Sequence, residues 1–143
     1  MKAKELKSAL QEADIDDIVN VKFNSNYTGS IRKYGIRNNI IIFSADIYDN
    51  DLTCEFDGVE TLKELSKEES DCEMVYRVPS MGFYKVQLAK RAKFCDPDYT
   101  DDYWYSIVLL CDREPFCDGD LASFDEYCSS KIDIDEYDDD EDF

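Results

Sequence analysis

The sequence predicts an α+β fold: a mainly antiparallel sheet of about 5–7 strands, with an N-terminal helix, one mid-chain helix and a short C-terminal helix. Three observations point there. Apolar residues recur at helical spacing in some stretches and at strand spacing in others. The links between successive strand-like runs are too short for crossover helices, which favours hairpins. The 143 residues are 43% hydrophobic, with ten Tyr and eight Phe, enough for one independent core. Residues 1–130 are assigned to a single α+β domain and residues 131–143 to an acidic tail.

The elements follow in order. From Lys2 to Ala13, the residues Ala3, Leu6, Leu10 and Ala13 share one helical face. Asp14-Ile15-Asp16-Asp17 ends that helix, because short acids compete for backbone hydrogen bonds. Val19, Val21 and Phe23 alternate with polar residues as a half-buried strand. Asn24-Ser25-Asn26 turns the chain into a second strand, Tyr27 to Tyr34. The β-branched run from Ile40 to Tyr48 is the strongest strand signal, followed by a short strand from Leu52 to Phe56. Asp57-Gly58-Val59-Glu60 reads as a capped helix start, and Val59, Leu62 and Leu65 are the face that helix buries. Cys72–Val78 and Phe83–Ala92 form a hairpin around Pro79-Ser80-Met81-Gly82. After a polar loop, Tyr103–Cys111 is a long strand expected at the centre of the sheet. Asp118-Gly119-Asp120 precedes a short helix with Leu121, Phe124, Tyr127 and Cys128 on one face.

Charge is distributed unevenly along this plan. Residues 1–93 hold 14 Lys+Arg against 16 Asp+Glu, a net of −2. Residues 94–143 hold 2 Lys+Arg against 18 Asp+Glu, a net of −16 out of the total −18. Such a concentration suits a basic partner and is repelled by nucleic acid and by anionic membrane surfaces. The acids form two groups. Asp96, Asp98, Asp101, Asp102, Asp112, Glu114, Asp118, Asp120, Asp125 and Glu126 fall among residues assigned to the fold. Asp133, Asp135, Glu136, Asp138, Asp139, Asp140, Glu141 and Asp142 fall in the tail, with Tyr137 between them. Together these residues are the candidate partner-binding set.

Several chemistries lack their residues. There is no histidine, which removes His-based catalytic triads and His-ligated zinc. The six cysteines lack the C-x₂₋₄-C spacing of zinc sites, and without a secretory leader they are expected as reduced thiols. No phosphate-loop or dinucleotide fingerprint is present. Residues 114–125 align poorly with a calcium loop, since Phe116 occupies its third position and Pro115 its second. A nuclease built on Asp98, Asp112 and Glu114 would have to bring a polyanion to the most acidic part of the chain. No metal site, cofactor or catalytic residue is therefore assigned. With no apolar run of about 20 residues, a cytoplasmic protein is expected, in a host cell's cytoplasm if phage-encoded.

The reading that absorbs these observations is a non-enzymatic inhibitor. Its carboxylates would occupy the nucleic-acid-binding groove of a basic partner, a nucleic-acid-binding protein or nuclease, by accepting bidentate hydrogen bonds from Arg as phosphates do. In charge and size the chain resembles small acidic phage proteins that disarm host defence, the anti-CRISPR and anti-restriction DNA mimics. The resemblance is compositional and carries no site residues with it. Two alternatives belong to other classes: an immunity or adaptor module that binds a basic protein, and a small carboxylate-dependent enzyme or divalent-ion-binding protein. A continuous exposed ridge of acids favours mimicry, and acids converging in an apolar pocket favour catalysis.

Overall fold

A fourteen-residue strand, Gly82–Cys95, ties two halves of one sheet together. The computed structural model describes residues 1–99 and 101–129. In chain order the strands are β1 (Ile18–Phe23), β2 (Tyr27–Ser30), β3 (Lys33–Arg37), β4 (Ile40–Ser44), β5 (Cys54–Glu55), β6 (Glu73–Val78), β7 (Gly82–Cys95) and β8 (Tyr103–Cys111). Across the sheet they lie in the order β2-β1-β8-β7-β6-β4-β3-β5. The helices are α1 (Leu6–Leu10), entered through a 3₁₀ turn at Ala3–Glu5, α2 (Val59–Glu68), and α3 at residues 121–129.

The α+β class and the three helices agree with the sequence-based expectation, but the sheet corrects it. It has eight strands among the described residues, and it is mixed. β1 runs parallel to β8, and β4 runs parallel to β6. The second parallel pair arises because α2 and β5 sit between β4 and β6 in the chain, long enough for a crossover. The first arises from a long-range pairing that no local signal encodes.

The predicted strand from Tyr27 to Tyr34 is two strands, broken at Ile31-Arg32. Ile31 is buried. β2 pairs with β1 at one end of the sheet, while β3 is seventh in the order. Two linking residues span only about 10 Å. The sheet must therefore curl until these two regions approach each other. Tyr76 of β6 crosses the inside of the curl and donates its hydroxyl to the Ser30 carbonyl at 2.9 Å. Its ring lies 5.3 Å from that of Phe23.

The inner face carries the larger core, with Val21 and Phe23 from β1, Ile41 and Phe43 from β4, and Ile107 and Leu109 from β8. α1 contributes Leu6 and Leu10 to it, and α2 contributes Val59, Leu62 and Leu65, the face expected for that helix. α1 is shorter than predicted, since Gln11 and Glu12 form a turn. There Asp14 N–H donates to the Asp17 carboxylate, an acid taking over the helix end. α2 starts at Gly58, whose φ of +79° suits glycine, and no side chain caps it. Thr61 compensates in part, its hydroxyl accepting from Asp57 N–H at 2.9 Å. β4 ends at Ser44 rather than Tyr48, because Ser44, Asp46 and Asp49 accept successive backbone N–H groups and turn the chain.

The outer face carries a second core where α3 covers Ile42, Val75 and Phe83 with Phe124 and Cys128. Phe83 and Phe124 stack with centroids 4.7 Å apart. Asp120 begins α3, its carboxylate accepting from Ser123 N–H at 2.7 Å. No helix covers the outer face of β1, β8 and the second half of β7 among the described residues.

Gly29 of β2 tests the closure. A Cβ there would lie 2.3 Å from the Tyr76 hydroxyl and 3.3 Å from the Phe23 ring. Gly29→Ala is expected to cost about 1–3 kcal/mol of stability in urea titration. The cost should be smaller in a Tyr76→Phe background, where the clashing hydroxyl is gone; equal costs in both would show that the ring does not press on β2.

Candidate partner-binding surface

The β7–β8 hairpin projects beyond the strands beside it. β1 first pairs with β8 at Ser106, so Tyr103, Trp104 and Tyr105 are held by β7 alone. At its tip the loop 96–102 is closed by Asp96 N–H donating to the Asp102 carbonyl at 3.0 Å. The Asp96 carboxylate accepts from the N–H groups of Asp98 and Tyr99, so its charge is spent shaping the loop. Asp98, Asp101 and Asp102 stay exposed.

Aromatic side chains surround these acids. Tyr99 is 68% exposed, Tyr103 55% and Trp104 42%, and Trp104 stacks on the exposed Phe94 ring at 6.0 Å. The apolar run Tyr103–Cys111 predicts a central strand and gives no hint of these exposed rings. β8 is indeed internal to the sheet, but its first residues lie past every element that could cover them. The signal available was position: rings on both faces of a strand within a few residues of a polar hairpin loop.

The root of the hairpin is pinned by Arg91. Its Nε donates to Asp17 Oδ2 at 2.7 Å, Asp14 lies 3.7 Å away, and the guanidinium carbon sits 3.9 Å from the centre of the Tyr105 ring. The Arg91 hydrogen bond holds the Asp17 carboxyl below its ordinary value.

The other described acids lie at the far end of β8, eight residue steps or roughly 26 Å from the tip. Asp112 and Glu114 line a depression of about 660 Å³ with Asn24, Ser25, Asn26 and Arg113. Asp118 is exposed near Gly119, whose carbonyl accepts from Arg77 Nε at 2.8 Å. Arg77 is buried and also donates to the buried Asp49 at 2.7 Å, with Asp51 at 3.6 Å. Asp46, Asp49 and Asp51 are absent from the predicted set because they belong to the near-neutral part of the chain. Besides Asp96, two more of the candidate acids serve the fold. Asp120 caps α3, and Asp125 takes Arg37 Nε at 2.7 Å and Asn38 Nδ2 at 3.1 Å. The Ser123 N–H holds the Asp120 carboxyl below the usual value, and Arg37 does the same for Asp125. Glu126 is exposed on α3.

The structure thus brings Asp96, Asp98, Asp101 and Asp102 together at one pole and separates them from Asp112, Glu114, Asp118, Asp120, Asp125 and Glu126. No acid lies within β8, and the adjacent strands carry Lys22 on β1 and Lys90, Arg91 and Lys93 on β7. A neutral-to-basic band divides the two poles, so these acids form no continuous ridge. Asp133, Asp135, Glu136, Tyr137, Asp138, Asp139, Asp140, Glu141 and Asp142 lie outside the described residues.

Two further features bear on chemistry. No cluster of three metal-binding side chains occurs among the described residues. A cavity of about 510 Å³ is bounded by Ile40, Val75, Lys85, Phe116, Tyr127 and Glu73, among others, and none of the candidate acids lines it. Cys54, Cys72, Cys95, Cys111 and Cys117 are free thiols. Burial pushes Cys111 up to about 12 and Cys117 up to about 11, so neither is a thiolate at neutral pH. No described helix is long and apolar enough to cross a membrane.

Comparison with protein-family models, curated proteins and solved structures finds no match for this chain.

Asp49→Ala would leave Arg77 buried without its main partner, and should cost about 3–5 kcal/mol in chemical denaturation. Asp17 makes a pH-dependent contribution. Its folded-state pKa is lowered from 3.8, so that contribution is present above 3.8 and is lost as pH falls through the lower folded value. Thermal melts between about pH 5 and pH 2 should therefore show a shallower acid decline for Asp17→Asn than for the unaltered chain. Parallel curves would mean that Arg91 does not hold the hairpin root through this carboxylate.

Proposed function

We propose that this chain is a non-enzymatic acidic protein that binds a basic protein partner through the tip of the β7–β8 hairpin and occupies that partner's nucleic-acid-binding groove. The observation that carries the reading is the composition of the tip: Asp98, Asp101 and Asp102 exposed beside Tyr99, Tyr103, Trp104 and Phe94. Carboxylates accept paired hydrogen bonds from Arg in the manner of phosphates. Rings beside them supply the area that concentrates binding energy, and they stack where bases would. A hairpin held at its root by Arg91 and Asp17 presents these groups with little ordering cost. Nucleic-acid-processing enzymes of host defence, Cas nucleases or restriction enzymes, are the partner class that this chemistry fits.

The division of the acids into two poles favours a second reading, an immunity or adaptor module that meets a basic surface without imitating a nucleic acid. The two readings separate in one experiment. A partner captured at low salt should be released by excess DNA or RNA if the hairpin lies in the nucleic-acid groove. Retention under excess nucleic acid would leave only the adaptor reading. The triple substitution D98N/D101N/D102N tests the hairpin in either case. It should slow association by about tenfold or more and flatten its salt dependence, because exposed charge chiefly steers encounter. Unchanged rates would remove the hairpin from the contact.

A further inference from the structure

A groove of about 300 Å³ crosses the outer face of the sheet over β1, β8 and β7. Strand alternation sets its residues. Val21, Ile107 and Leu109 belong to the inner core, so Asn20 and Lys22 of β1 and Val108 and Leu110 of β8 face outward. Ala92 and Phe94 of β7 stand on the same face, paired with Ser106 and Trp104. Val108, Leu110 and Ala92 make an apolar floor, and the exposed Phe94 ring closes one end. Trp104, the only tryptophan of the chain, stacks on that ring at 6.0 Å.

Two lysines flank the floor. Lys22 pairs with Leu110 and Lys90 with Val108, from strands on opposite sides of β8. They are thus roughly 10 Å apart across the sheet, twice the strand spacing. Both are exposed, and among the described residues neither has an acidic partner. No acid lines the groove, in a chain of net charge −18. Asp102 at the hairpin tip is six residue steps, roughly 20 Å, from Val108. Exposed charges that far apart are largely screened, because the Debye length is about 8 Å at physiological salt. Two unpaired cations suit a doubly charged phosphate, where a carboxylate would satisfy only one of them. The ring at the end of the floor suits a planar aromatic group. A nucleoside monophosphate carries both.

We propose that this groove binds a nucleoside monophosphate, its phosphate held between the Lys22 and Lys90 ammonium groups and its base against the Phe94 ring. Phe94 is four residues, roughly 13 Å, from Lys90 along β7, so base and phosphate occupy opposite ends of the groove. Asn20 and Thr28, which also line it, offer polar atoms to the sugar and the base edge. The lysines supply charge attraction and the ring supplies stacking. Neither lysine belongs to the hairpin tip, so the proposal stands whether or not the tip binds a partner.

Titration of the full-length protein with adenosine monophosphate tests it, read by Trp104 fluorescence and by backbone amide shifts. Saturable binding with a Kd of about 1 mM or tighter is expected. Amide shifts should appear at Lys22, Lys90, Phe94 and Val108 and be absent from α2. Adenosine lacks the anion and inorganic phosphate lacks the ring, so each should bind at least about tenfold more weakly. The K22Q/K90Q variant should lose about tenfold or more in affinity for the nucleotide, with an unchanged thermal melt because both side chains are exposed. Absence of saturation below about 10 mM would overturn the proposal. So would K22Q/K90Q binding as tightly as the unaltered chain, or adenosine or phosphate binding as tightly as the nucleotide.

Discussion

The two residues Ile31 and Arg32 set the shape of this protein. They join β2, at one end of the sheet as described, to β3, next to its other end. So short a link is satisfied only if the sheet curls on itself. Once it curls, its inner face is enclosed on most sides, and the enclosed space must be filled. Tyr76 spans that space to reach Ser30, the Phe23 ring packs against Tyr76 and Tyr84, and α1 and α2 complete the inner core. Gly29 belongs to the same constraint, since the approach of Tyr76 leaves no room for a side chain on β2. Burial pushes the Tyr76 hydroxyl up to about 12, so it stays a neutral donor under any ordinary condition.

Curling also determines what is left outside. β7 is shared by both halves, and a register shift between Val86 and Leu88 re-aims it where β6 ends. From Lys93 onward it runs out with β8 as a two-stranded arm, and rings that would be core elsewhere are exposed at its tip. On the opposite side, Arg77 gathers the 45–51 turn and the segment before α3 through Asp49 and the Gly119 carbonyl. One buried cation thus holds two acidic loops together in a strongly acidic protein. The acids of the last third consequently differ in what they do. Asp96, Asp120 and Asp125 stabilise local structure, while Asp98, Asp101 and Asp102 remain exposed.

Much of this was legible in the residues. The faces of α1, α2 and α3, the Pro79–Gly82 turn and the span of β8 follow from spacing and turn chemistry, which act over a few residues. The available acids were legible as a set but not as an arrangement. Asp120 and Asp125 look no different in sequence from Asp98 and Asp101. Their partners, Ser123 N–H in one case and Arg37 in the other, distinguish them only once the chain is folded. The exposure of Trp104 was hidden for a similar reason, because burial depends on what packs against a strand and not on the strand's own composition.

By itself, the sequence determined the α+β class, most element positions, the core-facing residues of the helices and the strong acidity of the final third. These are local properties, set by side-chain periodicity, turn propensity and formal charge. Tertiary structure alone decided the parallel pairing of β1 with β8, the curl imposed by Ile31-Arg32 and the separation of the acids into two poles. Each of these depends on contacts between residues far apart in the chain. Closing such contacts is governed by the packing of the whole sheet, and no window of neighbouring residues records it.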